Sequence, residues 1–489
     1  MKRNPCAIAL AAAMIAPAWA DSAGTSTVGV AVSADPSGLL ATVDVNGPIR
    51  TNGAFFQSLG TNGRSCATCH VAGQAMGLGA AGVRERFVLS RGQDPLFAPV
   101  DGANCSNAAR GDPRAHSLIL QSGLIRIALP LPSPAEFTLS AVHDPYGCAL
   151  QFDPTEGRTM VSVYRRPLPT TNLTFLSAVM FDGRETVVPL TDSTTFLANL
   201  TADLGHQAID ATTGHAQAVQ PPTDAQIADI VGFELGLFTA QWRDRSAGLL
   251  GTAGAQGGPV PLARETYYPG INDSLGADPS GAPFDSSSMT LFDAWASLAD
   301  DGDDLIEARR AIAAGEELFN NAPIEITNVR GLNDNAAIGK PSSFVGHCTS
   351  CHDTPNVGNH SLPLPLDIGT SHAVLPGMES DPAIVAGLAQ LSTPDLPVFL
   401  VSGCPNPFAS NEAESFYTSD PGKALITGKC ADFNRTKGPI LRGLAARAPY
   451  FHNGAAASLG QVVNFYNERF GMGLSDEQKA QLVAFLNSL

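Results

Sequence analysis

Two short stretches of this chain hold residue types that do chemistry together. Cys348-Thr-Ser-Cys351-His352 sets two thiols two residues apart and follows them at once with an imidazole. Cys66-Ala-Thr-Cys69-His70 repeats the arrangement. Covalent haem attachment requires that spacing. The two thiols bond the vinyl groups along one porphyrin edge, and the next residue turns back over the ring to give its imidazole to the iron. A structural zinc site needs two further ligands at similar spacing, and none follows. A thioredoxin-like pair needs no histidine and sits in a βαβ setting that this sequence lacks. Cys66, Cys69, Cys348 and Cys351 are therefore expected to hold two haem c groups covalently, with His70 and His352 as iron ligands.

The elements that must position these motifs read as mainly α with much irregular loop, in keeping with 48 glycines and 36 prolines. Residues 21–50 predict an extended arm with short β-strand. Phe55-Phe56-Gln-Ser-Leu59 leads into the first motif as a helix and turn. Residues 72–168, broken by Pro and Gly, predict loop and irregular sheet. Thr223-Asp-Ala-Gln226 is a capping box, opening a helix with Ile227, Ile230, Val231, Glu234, Leu235 and Phe238 at helical spacing to about Trp242. Residues 246–288 are Gly, Ala, Pro and Ser with little period, a linker. A helix near Leu305–Phe319 precedes the second motif. Ser458-Leu-Gly-Gln461 and Ser475-Asp-Glu-Gln478 open two closing amphipathic helices. The expected architecture is two cytochrome c-like haem domains in tandem, residues 21–245 and 289–489, with some short β in the N-terminal part.

Residues 1–20 read as a secretory signal: Lys2 and Arg3, an apolar run from Ala7 to Ala16, then Ala18-Trp19-Ala20 before Asp21. No other run approaches the length of a membrane span. Export to the periplasm fits haem c, which is attached outside the cytoplasm. Cys6 leaves with the signal. Cys105, Cys148, Cys404 and Cys430 then remain beside the haem thiols, an even set that predicts two disulfides in an oxidising compartment, paired by neighbourhood as Cys105–Cys148 and Cys404–Cys430. Losing Lys2 and Arg3 takes the formal charge from −17 to −19. Nucleic acid and anionic lipid are poor partners for such a surface, and a small basic redox protein is steered towards it.

Pro439-Ile-Leu-Arg442-Gly-Leu-Ala-Ala-Arg-Ala-Pro449-Tyr450-Phe451-His452-Asn-Gly454 closes the second half, with Val483-Ala-Phe-Leu486 at the end. Together with Phe181-Asp182-Gly183-Arg184 and the run from Ile230 to Glu234, these stretches resemble the bacterial di-haem cytochrome c peroxidase family, which includes the MauG enzymes. The likeness touches both haem regions and leaves out 75–160, 240–300 and 370–410. It implies a peroxidatic haem at His70, with an open or openable position for hydrogen peroxide, and an electron-relaying haem at His352 with a second protein ligand. That ligand is a methionine in the peroxidases and a tyrosine in MauG-like members. Counted from His452 the position is Tyr466, with Met472 as its rival. Phenolate stabilises ferric iron, whereas thioether favours ferrous. The likeness also implies a seat for one calcium ion at backbone carbonyls around Arg447–Pro449.

Three departures bear on mechanism. Phe181 stands where the family keeps a tryptophan between the haems, and it is harder to oxidise. Arg86 stands at the gating histidine; its guanidinium has no lone pair for iron, which leaves His116 as the substitute. The family's distal glutamine is matched by Gln207, but its glutamate ten residues on is missing. His215, whose imidazole suits proton shuttling, is the first candidate in its place, and Asp210 the second. The expected function is a periplasmic di-haem peroxidase-like oxidoreductase. Its partners are hydrogen peroxide and a small electron-donor protein, cytochrome c or cupredoxin, with homodimer formation left open. The alternatives are a MauG-like oxidase of an oxidisable partner protein and a non-enzymatic electron-transfer cytochrome. Cys69→Ala and Cys351→Ala are each expected to remove one haem's worth of covalent absorbance from the denatured protein. An unchanged haem-to-protein ratio in both would refute the attachment.

Overall fold

The computed structural model describes residues 29–299, 302–374, 381–405 and 415–489. The expected secretory signal lies outside them. Sheet is more prominent than the helical expectation held, and it occurs in both halves.

Gly29–Ala34 and Gly38–Asp44 form an antiparallel hairpin. The second strand pairs on its far side with Leu237–Asp244, and Gly248–Leu249 completes four strands. This corrects the helix expected to run to Trp242. Thr223 and Gln226 do cap each other and open the helix Asp224–Gly236, but Leu237 turns to extended backbone. Gly236 tolerates the crowding there, since a side chain would meet Asn46 Nδ2 at 2.4 Å. A three-stranded sheet places Arg158–Arg165 between Ile125–Pro130 and Leu150–Asp153.

Another sheet crosses the chain: Thr138–His143 from the first half pairs antiparallel with Val398–Ser402, which also pairs with Ser415–Thr418. Cys105 is bonded to Cys148 and Cys404 to Cys430, with Cα atoms 6.0 and 5.4 Å apart.

The stretch 246–288 is packed rather than open. Ala247, Leu250 and Ala255 share a core with Phe292, Trp295, Ile312, Phe319 and Phe485. The helix Asp304–Asn321 secures the segment just beyond that stretch. Its buried Glu316 accepts the amides of Leu291 and Phe292, both at 2.7 Å, and Asn320 donates to Met289 O at 2.7 Å. The same helix lies hard against the closing helix Asp476–Asn487. A Cβ on Gly315 would fall 2.0 Å from Gln481 O, so only glycine permits that approach. Leu459–Arg469 is the other closing helix, with Ser458 Oγ accepting from Gln461 N. Among the described residues no helix is long and apolar enough to cross a membrane.

Arg165, 1% exposed, joins the halves. It forks onto Asp420 at 2.6 and 2.8 Å and also bonds Asp182. Burial alone would raise both carboxyls, but the guanidinium outweighs it and holds them below their usual range. A lowered folded pKa means that the stabilisation is present above about pH 4 and fades as pH falls through the folded values. Arg165→Met would strip buried Asp420 of its guanidinium and leave Asp182 with Arg184 alone, at a cost of about 3–5 kcal/mol. Urea titrations across pH should show wild-type stability rising from pH 3 to 6 and the variant's rising less, because buried Asp420 then resists ionisation.

Candidate functional site

Both motifs fold as the same tight turn. Cys66–Thr68 and Cys348–Ser350 are single 3-10 turns, and in each the histidine amide bonds back to the first cysteine's carbonyl at 3.0 Å. The variable residue before the second cysteine has a structural task. Thr68 Oγ1 accepts from Ser65 N at 3.0 Å and Ser350 Oγ from His347 N at 2.9 Å, clamping each turn. His70 Nδ1 then meets Met76 O at 3.2 Å and His352 Nδ1 meets Gly358 O at 2.6 Å. Nδ1–H donating to a carbonyl fixes the tautomer and leaves Nε2 with its lone pair for a metal.

Each histidine lines its own cavity. The first holds His70, Cys66 and Cys69. The second, the larger of the two, holds His352, Cys348 and Cys351. None of the four thiols is paired. Burial pushes Cys66, Cys348 and Cys351 up to about 12 and Cys69 to about 11, and His70 down to about 4. Free neutral thiols beside an imidazole, inside a largely apolar cavity, fit a covalently attached haem.

In the first cavity Gln207 and His215 lie two helical turns apart on one face of the helix Phe196–Gly214, whose C-cap is His215. Nδ1 of His215 bonds Asp101, which pairs in turn with buried Arg64. Burial, which would raise Asp101, is overcome by His215 and Arg64, so the carboxylate sits below its usual range. Arg64 is itself pinned by the carbonyls of Pro95, Leu96 and Ala98. Asp210 does not line this cavity; it is exposed on the helix beside His206, and both group with the buried Glu185 of the preceding loop.

Sequence reasoning missed two residues. Asp101 gave no local signal, because it meets His215 across 114 positions. Glu234 did give one: a carboxyl on the apolar face of its helix, four residues after Ile230 in the same cavity wall. It is fully buried, its Oε2 has no partner, and burial pushes it up to about 8. It therefore holds a proton at neutral pH.

Neither gating candidate reaches this cavity. Arg86 bonds Asp94 through two nitrogens and Thr68 O at 2.5 Å. His116 is buried between Phe87 and Phe97, with Nδ1 at 2.8 Å from Gly102 O.

Tyr466 and Met472 both line the second cavity, and burial pushes the Tyr466 phenol above its usual value. Phe181 lines it too, edge-on to His452 with ring centroids 6.0 Å apart. Two carbonyls of the stretch expected to seat calcium accept hydrogen bonds. Arg447 O accepts Arg166 Nη2 at 2.7 Å and Ala448 O accepts Ala80 N at 3.3 Å, so a fixed guanidinium stands at one of the expected carbonyls.

No family model matches this chain. Over 151 residues it is 33% identical to a protein named cytochrome-c peroxidase IdrP2 of Denitromonas iodatirespirans, covering 29% of this chain and 36% of the relative. A protein of the same name from Pseudomonas sp. (strain SCT) is 31% identical over 149 residues, 29% of this chain and 35% of the relative. A protein named cytochrome-c peroxidase IdrP1 of Denitromonas iodatirespirans is 33% identical over 81 residues, 14% of this chain and 22% of the relative. The matched stretch spans about a third of the length of the first two relatives. At that level the chain is similar to proteins named as cytochrome c peroxidases.

The competition for the His352 site can be decided spectroscopically. Tyr466→Phe is expected to turn that haem high-spin, and Met472→Leu to leave its spectrum as it was. The reverse pattern assigns the ligand to Met472.

Proposed function

We propose that this chain is a periplasmic di-haem c-type oxidoreductase that reduces hydrogen peroxide in the His70 cavity with electrons relayed from the His352 cavity. The observation that carries the reading is a division of labour between the cavities. His70 shares its cavity with an amide, an imidazole backed by a carboxylate, and a protonated carboxyl. His352 shares its own with a phenol and a thioether able to ligate iron and with the imidazoles of His347, His360 and His452, but with no carboxyl among the described residues. The similarity to proteins named cytochrome-c peroxidase supports the same reading.

One peroxide, two electrons and two protons give two waters. The haem iron, when bound, supplies a seat for one peroxide oxygen and a path for the electrons. The chain's residues manage the protons. The Gln207 amide donates to the peroxide and orients it. His215 Nε2 takes the proton from the inner oxygen and returns it to the outer one. Asp101 keeps Nδ1–H engaged and stabilises the imidazolium that forms between the two events. Glu234, protonated up to about pH 8, supplies a further proton. The acidic surface favours encounter with a small basic electron donor. A second reading, oxidation of a partner protein, is favoured by Tyr466 in the His352 cavity. Peroxide consumption that needs only a small redox protein and leaves it chemically intact separates the first reading from the second.

Stopped-flow mixing with peroxide tests the proton route. His215→Ala should slow the peroxide step by roughly 10²–10⁴-fold, Asp101→Asn should slow it less, and His116→Gln should leave it unchanged. The wild-type rate should fall as pH rises through about 8, where Glu234 loses its proton, and Glu234→Gln should be slow without that limb. An unaltered rate in His215→Ala would move the shuttle to Glu234 or water.

A further inference from the structure

The two cavities share a partition. Pro167, Leu168, Pro169 and Lys437 line both of them. Beyond Lys437 the wall alternates, with Ile440 on the first cavity and Leu441 on the second. The segment is held in place by backbone. Thr436 bridges Leu366 in both directions, at 3.0 and 3.1 Å, and Lys437 N donates to Phe181 O at 2.7 Å. Gly438 passes so close to the second iron ligand that a Cβ there would stand 4.0 Å from His352 Cε1.

Lys437 is 7% exposed, and no hydrogen bond or ion pair among the described residues satisfies its ammonium. The guanidinium groups that line the cavities are already engaged. Arg64 serves Asp101 and three carbonyls, Arg166 serves Ser122 O and Arg447 O, and Arg447 serves Ile440 O and Arg442 O. An ammonium buried without a counter-charge is costly unless an anion joins it. A haem carries two carboxylates, which meet the same difficulty inside an apolar cavity.

We propose that Lys437 is a shared counter-ion, its ammonium binding a haem carboxylate on each side of the partition so that both irons feel one charge. This rests on the reading that each cavity holds a haem. Lys437 is thus a positioning residue, and its mark is electrostatic. A nearby cation repels ferric iron more than ferrous iron, which carries one positive charge fewer. Removing that cation therefore favours the ferric state at both irons.

The test is a potentiometric titration of the haem-loaded protein, followed by absorbance at both haems. Lys437→Met should lower both midpoint potentials by about tenfold in each reduction equilibrium, 59 mV for a one-electron couple. Lys437→Arg should restore both. If the methionine variant fails to assemble, Lys437→Gln, which keeps the length and polarity without the charge, replaces it. Two unmoved potentials would overturn the proposal, and so would a shift at one haem alone. Two haems with shifted potentials but no peroxide turnover would uphold the bridge and sink the proposed function. Fewer than two haems in the wild-type chain would remove both.

Discussion

Arg165 carries its charge where almost no water reaches it, and two carboxylates from two other segments converge to neutralise it. Asp182 comes from the loop after Phe181, Asp420 from the second half, and Arg165 itself ends a strand of the first. Burying three charges is tolerable only while all three stay together. That requirement fixes more than the cluster. Two residues beyond Arg165 the chain becomes the Pro167–Pro169 face of the partition. One residue before Asp182, Phe181 offers the carbonyl that anchors Lys437. Both sides of the wall between the cavities are therefore tethered to one guanidinium, and the separation of the two sites depends on it.

The parts of the structure that were legible in the sequence are those fixed within a few residues. Thr223 with Gln226 and Ser475 with Gln478 form the capping boxes their spacing announces. The two cysteine–histidine motifs could be read because their chemistry demands one local turn. Gln207 and His215 were singled out by the family likeness alone, and the helix that carries Gln207 and is capped by His215 came from the structure. The end of the helix at Gly236 was not legible. Leu237, Phe238, Thr239, Ala240 and Gln241 are all buried, and such a run suits strand and helix alike. The choice is made by pairing with Gly38–Asp44, nearly two hundred positions away. The stretch 246–288 is irregular, as its composition suggests, yet part of it packs into a core. Small residues look like a linker, yet they also let backbone lie close on a helix face, as Ala247 and Ala255 do.

Charge in this chain is sorted by depth. The surface is strongly acidic, while the interior keeps cations for particular tasks. Arg64 steadies the carboxylate behind His215, Arg166 takes a carbonyl expected for a metal ion, and Arg442 donates to Asn356 O at 2.7 Å beside the second motif. Buried acids are handled differently from one another. Asp101, Asp182 and Asp420 have cationic partners and stay ionised, whereas Glu234 and Glu316 lack them and keep their protons. Glu316 is satisfied by two amides and secures packing. Glu234 has a free oxygen facing a cavity, which is why it has chemistry left to do.

The sheet that pairs Thr138–His143 with Val398–Ser402 makes the chain's two halves inseverable. A strand made early waits for a partner more than two hundred and fifty positions downstream, and until then both present unpaired amides and carbonyls. Cutting the chain at its compositional boundary would not release two modules. It would strip the outer strand from the second half, leave Val398–Ser402 as a bare margin ready to recruit any passing extended peptide, and undo the buried charge cluster at the same stroke. The protein matures as one object, and its two cysteine–histidine turns are committed to each other once that seam closes.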